Sequence, residues 1–104
     1  MGDVAAIDGG VLTIAAARTF LRASASADAQ LAELIPAAQG RIESFLGREL
    51  VGAAGWSTVD QVPAMVAHCV KLALSDFFVN REAPQLTDEQ LRPMIGRYMV
   101  QSVG

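Results

Sequence analysis

The chain has few of the residues that catalysis and metal binding need. Among 104 residues there are one histidine, His68, and one cysteine, Cys69. A lone cysteine forms no internal disulfide, and these two ligands cannot complete a tetrahedral zinc site. Neighbouring residues on a helix also point about 100° apart, so the two cannot work as a nucleophile and its base. We therefore expect no enzymatic activity, no catalytic residue, no metal and no cofactor.

Positive charge is also scarce. Eight basic residues stand against eleven acidic ones, the formal net charge is −3, and Lys71 is the only lysine. Binding to DNA phosphates needs clustered basic side chains, so this balance predicts no appreciable DNA binding. No apolar run reaches the length of a membrane span, and the first residues lack the basic and apolar regions of a signal peptide. We expect a soluble protein without a membrane partner.

Apolar residues, in contrast, are abundant. They make up 52% of the chain, while charged residues make up 18%, below the roughly 25% of an average soluble domain. A chain of this length can bury one core, so we expect residues 1–104 to form one domain, with a flexible leader over residues 1–12 and a tail over residues 99–104. The apolar excess indicates that part of the surface is covered by another subunit.

The spacing of apolar residues predicts two helices in the first half of the chain. Thr13 is a suitable N-cap for a first helix of about ten residues. Ser26 is a suitable N-cap for a second helix, which Gly47 ends and which we expect to kink near Ala32 to Pro36.

Two more helices are predicted in the second half. Pro63 opens a third helix, and residues 65–79 are apolar on every side of it, as expected of a central helix. Thr87 and Gln90 form the capping-box pattern of a fourth helix, which Pro93 should interrupt. The predicted fold is all-α: a single-domain bundle of about four helices around a central apolar third helix, with a loop or short β segment between helices 2 and 3.

The loop of residues 47–61 contains Trp56, the only tryptophan, beside Gly52 and Gly55. A short strand through Trp56 to Val59 is one interpretation of this segment. The indole either folds over the helices as a lid or projects as the anchor of a subunit contact, because tryptophan is enriched at binding hot spots. We favour the anchor, since the two glycines give the backbone freedom to adapt to a partner.

Four short motifs occur in order along the chain. They are Val11-Leu12-Thr13 before the first helix, Ile42-Glu43-Ser44-Phe45-Leu46-Gly47-Arg48 at the end of the second, Val62-Pro63-Ala64-Met65-Val66 at the start of the third, and Asn80-Arg81-Glu82 at its end. In this order and spacing, from Val11 to Tyr98, the chain resembles the small head–tail connector, or adaptor, proteins of tailed bacteriophages and prophages.

The resemblance implies a structural virion protein at the head–tail junction, made in the bacterial host cytoplasm. Such proteins form a ring with copies of themselves, typically twelve-fold, below the portal protein. The ring extends the channel through which DNA passes without specific binding, and it carries the stopper or tail-completion protein. The resemblance points to Arg48, Asn80, Arg81 and Glu82 as interface residues, beside Trp56. These motif residues have a competing role as helix C-terminal caps and a local ion pair.

A second interpretation comes from a different class of protein. A small helical regulatory module, monomeric or dimeric, binds a cellular protein through an apolar groove. A closed ring at high protein concentration favours the connector, and a tight two-fold dimer favours the module.

Overall fold

The computed structural model describes residues 11–53 and 55–99. Most of the predicted leader and tail, residues 1–10 and 100–104, lies outside the described residues. Four α-helices follow one another along the described part: α1 (Ile14–Leu21), α2 (Asp28–Leu46), α3 (Ala64–Val79) and α4 (Asp88–Ile95). This part of the chain contains no β-strand, so the predicted all-α fold is confirmed.

Three of the predicted helix boundaries are confirmed by their capping groups. The Thr13 hydroxyl accepts a hydrogen bond from the Ala16 amide at 3.0 Å, and Gly47 ends α2 in the left-handed region at φ 75°. Thr87 and Gln90 form both hydrogen bonds of the predicted capping box. These contacts are local, which explains why the sequence alone could predict them.

The predicted start of α2 was wrong. Ser26 lies in a short 3₁₀ turn, Ala25–Ala27, and its hydroxyl contacts Ser24, so Ala27 precedes the helix without a side-chain cap. The first residue of α2, Asp28, instead accepts two hydrogen bonds from the Arg18 guanidinium at 3.0 and 2.8 Å. This ion pair joins the end of α1 to the start of α2.

Prolines occur inside two of the helices. Helix α2 runs without interruption through Pro36, and α4 runs through Pro93, so the predicted interruption of the fourth helix was wrong. Both prolines are exposed. On an exposed face, water can hydrogen-bond the carbonyl that the proline leaves free, so the missing bond need not end the helix.

Helix α3 packs against each of the other three helices, as predicted for a central helix. Its inner residues, such as Val66, Val70 and Leu74, share one buried core with residues of α1, α2 and α4. It is not covered on all sides, however. Met65 near its start is 45% exposed, and Val79 at its end is 70% exposed. The apolar sequence of α3 therefore serves both the core and the surface.

The predicted short strand through Trp56 to Val59 does not form. Val51 and Trp56 make one isolated β-bridge, and Val59–Gln61 is a 3₁₀ turn. The loop is held by its own backbone hydrogen bonds, from the Trp56 amide to the Leu50 carbonyl at 2.8 Å and from the Gly52 amide to the Trp56 carbonyl at 3.0 Å. Because these hydrogen bonds close the loop within a few residues, no segment long enough to form a strand remains.

Candidate interaction surfaces

The five candidate interface residues form two separate groups in the structure. Arg48 and Trp56 come together in the loop before α3, and Asn80, Arg81 and Glu82 follow the end of α3. Arg48 and Trp56 are half-buried and contact each other, whereas in the second group Asn80 makes a side-chain hydrogen bond and Arg81 and Glu82 are exposed.

Trp56 is half-buried between two other side chains. The Arg48 guanidinium lies 4.2 Å from the centre of the indole, and the Tyr98 ring meets the indole edge-on at 5.9 Å between centroids. The Nε atom of Arg48 is buried and makes no hydrogen bond. The Arg48 guanidinium thus stacks on the indole and covers part of it. Trp56 packs against the core, as the lid interpretation predicts. Its role as the anchor of a subunit contact stays a prediction.

Two glycines give the Trp56 loop its shape. Gly52 has φ 146°, a conformation that other residues rarely adopt, and a Cβ there would clash with the Glu49 carboxylate. A Cβ at Gly55 would collide with the Glu49 and Leu50 backbone carbonyls. The glycines thus permit a close backbone approach. In the structure the two glycines fix a tight turn. The sequence interpretation instead expects them to give the backbone freedom to adapt to a partner.

Asn80 and its two neighbours differ in their surroundings. Asn80 ends α3, and its side-chain amide donates a hydrogen bond to Asp76 at 3.0 Å. Arg81 and Glu82 are exposed, and among the described residues the two ion pairs are Arg18–Asp28 and Arg41–Asp88, so the expected local pair between Arg81 and Glu82 is absent there. Asn80 thus has the structural role, while Arg81 and Glu82 are available for contacts with another molecule.

Asp76 organises the segment that joins α3 to α4. Its carboxylate accepts hydrogen bonds from the backbone amides of Gln85 and Leu86 at 2.8 to 2.9 Å, besides the bond from Asn80. Partial burial opposes ionisation of Asp76. The two backbone amides, Asn80 and the positive charge of Arg41 outweigh it and keep the pKa of Asp76 below its usual value.

Arg41 strengthens the same connection from α2. Its guanidinium donates to the Leu86 carbonyl at 3.3 Å and to the Asp88 carboxylate at 2.7 Å. Asp76 does not stand out in the sequence, because the two amides that donate to it lie nine and ten residues further along the chain. The available signal was an acidic residue on an otherwise apolar helix, four residues before Asn80.

One open surface of the described residues lies where α1 crosses α3. Phe20 meets His68 edge-on at 6.3 Å between ring centroids, and the Lys71 Nζ lies 5.9 Å from the centre of the Phe20 ring. Met65 lies one helical turn before His68 on α3, on the same face. We call these four residues the α1–α3 patch. Phe20 and Met65 are exposed apolar side chains, and Lys71 brings a positive charge beside them.

The second surface is an open groove of about 340 Å³ between α2 and the end of α3. Its walls combine apolar side chains with one charge of each sign. We call it the α2–α3 groove and define it by Glu33, Leu34, Ala37, Phe77, Arg81 and Pro84. Arg81 also borders a second shallow groove with Asn80 and Glu82. The groove therefore brings the motif residues at the end of α3 next to exposed apolar surface.

The described residues include no cluster of three or more histidine, cysteine or acidic side chains that could hold a metal ion. Cys69 is fully buried, and this burial raises the pKa of its thiol. His68 lies beside it in sequence but is exposed and packs on Phe20. The structure thus separates the two residues, since one faces the core and the other faces solvent.

None of the four described helices is both long enough and apolar enough to cross a membrane. Comparison of the chain with protein-family models, with curated proteins and with solved structures finds no match in any of the three.

Proposed function

We propose that this chain is a head–tail connector, or adaptor, of a tailed bacteriophage or prophage. In this role it is a structural protein without enzymatic activity. Copies of it form a ring below the portal protein at the head–tail junction, after synthesis in the bacterial cytoplasm. The ring extends the DNA channel and provides a platform for the stopper or tail-completion protein.

The positions of the four sequence motifs support this proposal. Leu12 and Thr13 lead into α1, Gly47 ends α2, Pro63 precedes α3, and Asn80 follows its last residue. Each motif therefore lies at a helix boundary, where the resemblance requires it.

The observation that carries the proposal is the presence of two different open surfaces on one small domain. A ring needs a heterologous interface, in which one surface of each subunit meets a different surface of the next. The α1–α3 patch and the α2–α3 groove share no residue. They supply two such surfaces, and an interaction module with one binding groove needs only one.

The charge of the chain suits a conduit for DNA. Eight basic residues in a chain of net charge −3 leave no excess of positive charge to hold the passing genome by its phosphates. A strongly basic lining would slow DNA by electrostatic attraction. The low charge content and high apolar content instead favour contacts between proteins.

Native mass spectrometry of the full chain over a concentration series tests the proposal. We expect monomers in dilute solution and closed oligomers larger than dimers at high concentration. A strict two-fold dimer at every concentration would contradict the proposal and favour the regulatory module. Size-exclusion chromatography with light scattering gives an independent measure of the mass of each species.

A further inference from the structure

We propose that the α1–α3 patch of one subunit docks into the α2–α3 groove of a second copy of this chain. This inference rests on the proposed ring function and adds to it the two surfaces that meet and their orientation. Three observations support it: the relative placement of the two surfaces, their apolar content, and the sign of the charges beside them.

The two surfaces face away from each other across α3. His68 belongs to the patch and Phe77 to the groove, and nine residues separate them on the same helix. Nine residues are two and a half helical turns, so their Cα–Cβ bonds leave α3 on opposite sides, about 13 Å apart along its axis. Surfaces placed in this way cannot meet within one subunit. Between copies they give a head-to-tail contact that can repeat around a ring.

The apolar groups of the two surfaces are complementary in form. Phe20 is 37% exposed and Met65 is 45% exposed, so both present apolar atoms to solvent from the patch. The groove is concave, and Leu34, Ala37 and Phe77 line it. Placing a projecting aromatic side chain in an apolar groove is the usual form of an energetic anchor at a protein interface.

The charges favour one orientation of the contact. Lys71 of the patch has no acidic partner within the described residues, and Glu33 of the groove has no basic partner there. Docking that brings Lys71 of one subunit to Glu33 of the next pairs both charges as water is excluded. Arg81 lies in the part of the groove wall that follows the end of α3, so repulsion directs Lys71 away from it and towards Glu33 on α2.

Site-specific cross-linking of the full chain tests the geometry. Met65→Cys places a thiol in the patch, and Ala37→Cys places one in the groove; both positions are exposed, whereas the native Cys69 is buried. With a short bismaleimide, we expect covalent pairs when the two single variants are mixed and little product from either one alone. The double variant should give a ladder of products. Efficient self-cross-linking of Met65→Cys alone indicates a two-fold contact and overturns the inference.

Charge reversal tests the pairing. We expect Glu33→Lys and Lys71→Glu each to weaken self-association at least tenfold, and the double variant to recover most of the loss. Glu89→Lys makes the same charge change on α4, outside both surfaces, and should leave the association unchanged. Arg81→Glu should strengthen the association, or leave it unchanged, because it removes the repulsion of Lys71. Circular dichroism of each variant shows whether it has folded.

The outcomes separate this inference from the proposed ring. If the wild-type chain forms rings but the Met65→Cys and Ala37→Cys variants do not cross-link to each other, or if Glu33→Lys assembles normally, the assigned surfaces are wrong and the ring proposal stands. If the wild-type chain forms only two-fold dimers, the ring proposal fails and the inference fails with it. If it stays monomeric up to millimolar concentration and the mixed thiol variants give no pairs, the inference is overturned.

Discussion

Replacement of Trp56 by alanine separates the two roles that the sequence leaves open for this side chain. In the structure, the indole is half-buried against the core and covered by Arg48 and Tyr98. A side chain with these contacts contributes to the stability of the isolated subunit. A residue that serves only as an anchor for a partner contributes mainly to assembly.

The size of the effect follows from the surroundings of the indole. Truncation of a fully buried aromatic side chain costs about 3–5 kcal/mol, and partial exposure of Trp56 reduces this to about 2 kcal/mol. Loss of the edge-on contact with Tyr98 adds about 1 kcal/mol, and loss of the cation–π contact adds about 0.5 kcal/mol. The Arg48 Nε, which is buried without a hydrogen bond, regains water in the variant and offsets part of the loss. We therefore expect a net loss of about 2–3 kcal/mol.

Thermal and urea unfolding of the monomer, followed by circular dichroism, measure this loss. For a domain of this size, the expected decrease in Tm is about 10–20 °C. Trp56→Phe should recover about half of the loss because it keeps an aromatic ring in the same place. Ser57→Ala, at an exposed neighbouring position, should change the stability by less than about 0.5 kcal/mol. A Trp56→Ala variant that melts within about 3 °C of the wild type and fails to assemble would refute this reasoning and support the anchor.

Three further predictions concern charge and burial. Asp76→Asn should lower the stability by about 2 kcal/mol at pH 7, because an amide cannot accept all the hydrogen bonds from Gln85 and Leu86. The folded-state pKa of Asp76 is lowered, so its carboxylate stabilises the fold above about pH 4, and this stabilisation is lost as the pH falls through the folded-state pKa. The difference in Tm between Asp76→Asn and the wild type should therefore narrow in acid. Cys69 should react with a thiol reagent only after unfolding in guanidinium, because burial shields the sulfur and raises the thiol pKa; rapid labelling of the native protein would contradict its burial. Finally, a gel-shift assay should show no duplex binding at physiological salt, and micromolar, strongly salt-dependent binding would contradict this.

The parts of the fold that the sequence predicted correctly depend on contacts between near neighbours. Thr13 bonds to an amide three residues away, and the Thr87–Gln90 box has the same span. Gly47 ends α2 through its own backbone conformation. The failures at Ser26 and Pro93 have a different origin. The start of α2 depends on the ion pair of Asp28 with Arg18 across a turn, and the continuity of α4 depends on which of its faces meets solvent.

The candidate surfaces were harder to predict because they depend on the packing between helices. The hydrophobic pattern of α3 indicates burial on every side, yet three helices cover only part of its circumference. The crossing of α1 and the position of α2 near Phe77 decide which apolar residues of α3 remain exposed. The motif residues Arg81 and Glu82 could be found from the sequence, but the groove beside them could not, because Glu33 and Leu34 join it from a helix almost fifty residues earlier.

The contact between Asp76 and the α3–α4 connection also bears on how the groove keeps its shape. Pro84 lies in the groove wall, one residue before the amide of Gln85 that Asp76 holds. On the other side of the connection, Arg41 of α2 holds the Leu86 carbonyl and Asp88. The segment that carries Arg81 and Pro84 is therefore fixed to both helices of the groove, since its amides donate hydrogen bonds to Asp76 of α3 and Arg41 of α2 donates to its Leu86 carbonyl. Because the Asp76 contacts weaken in acid, protonation of Asp76 should loosen the groove wall before the core of α2 and α3 unfolds. Hydrogen exchange of the Gln85 and Leu86 amides in the wild type and in Asp76→Asn at pH 6, where the wild-type carboxylate is ionised, tests whether the wall depends on this charge. Equal protection of the two amides in both proteins would show that the wall does not depend on the Asp76 carboxylate.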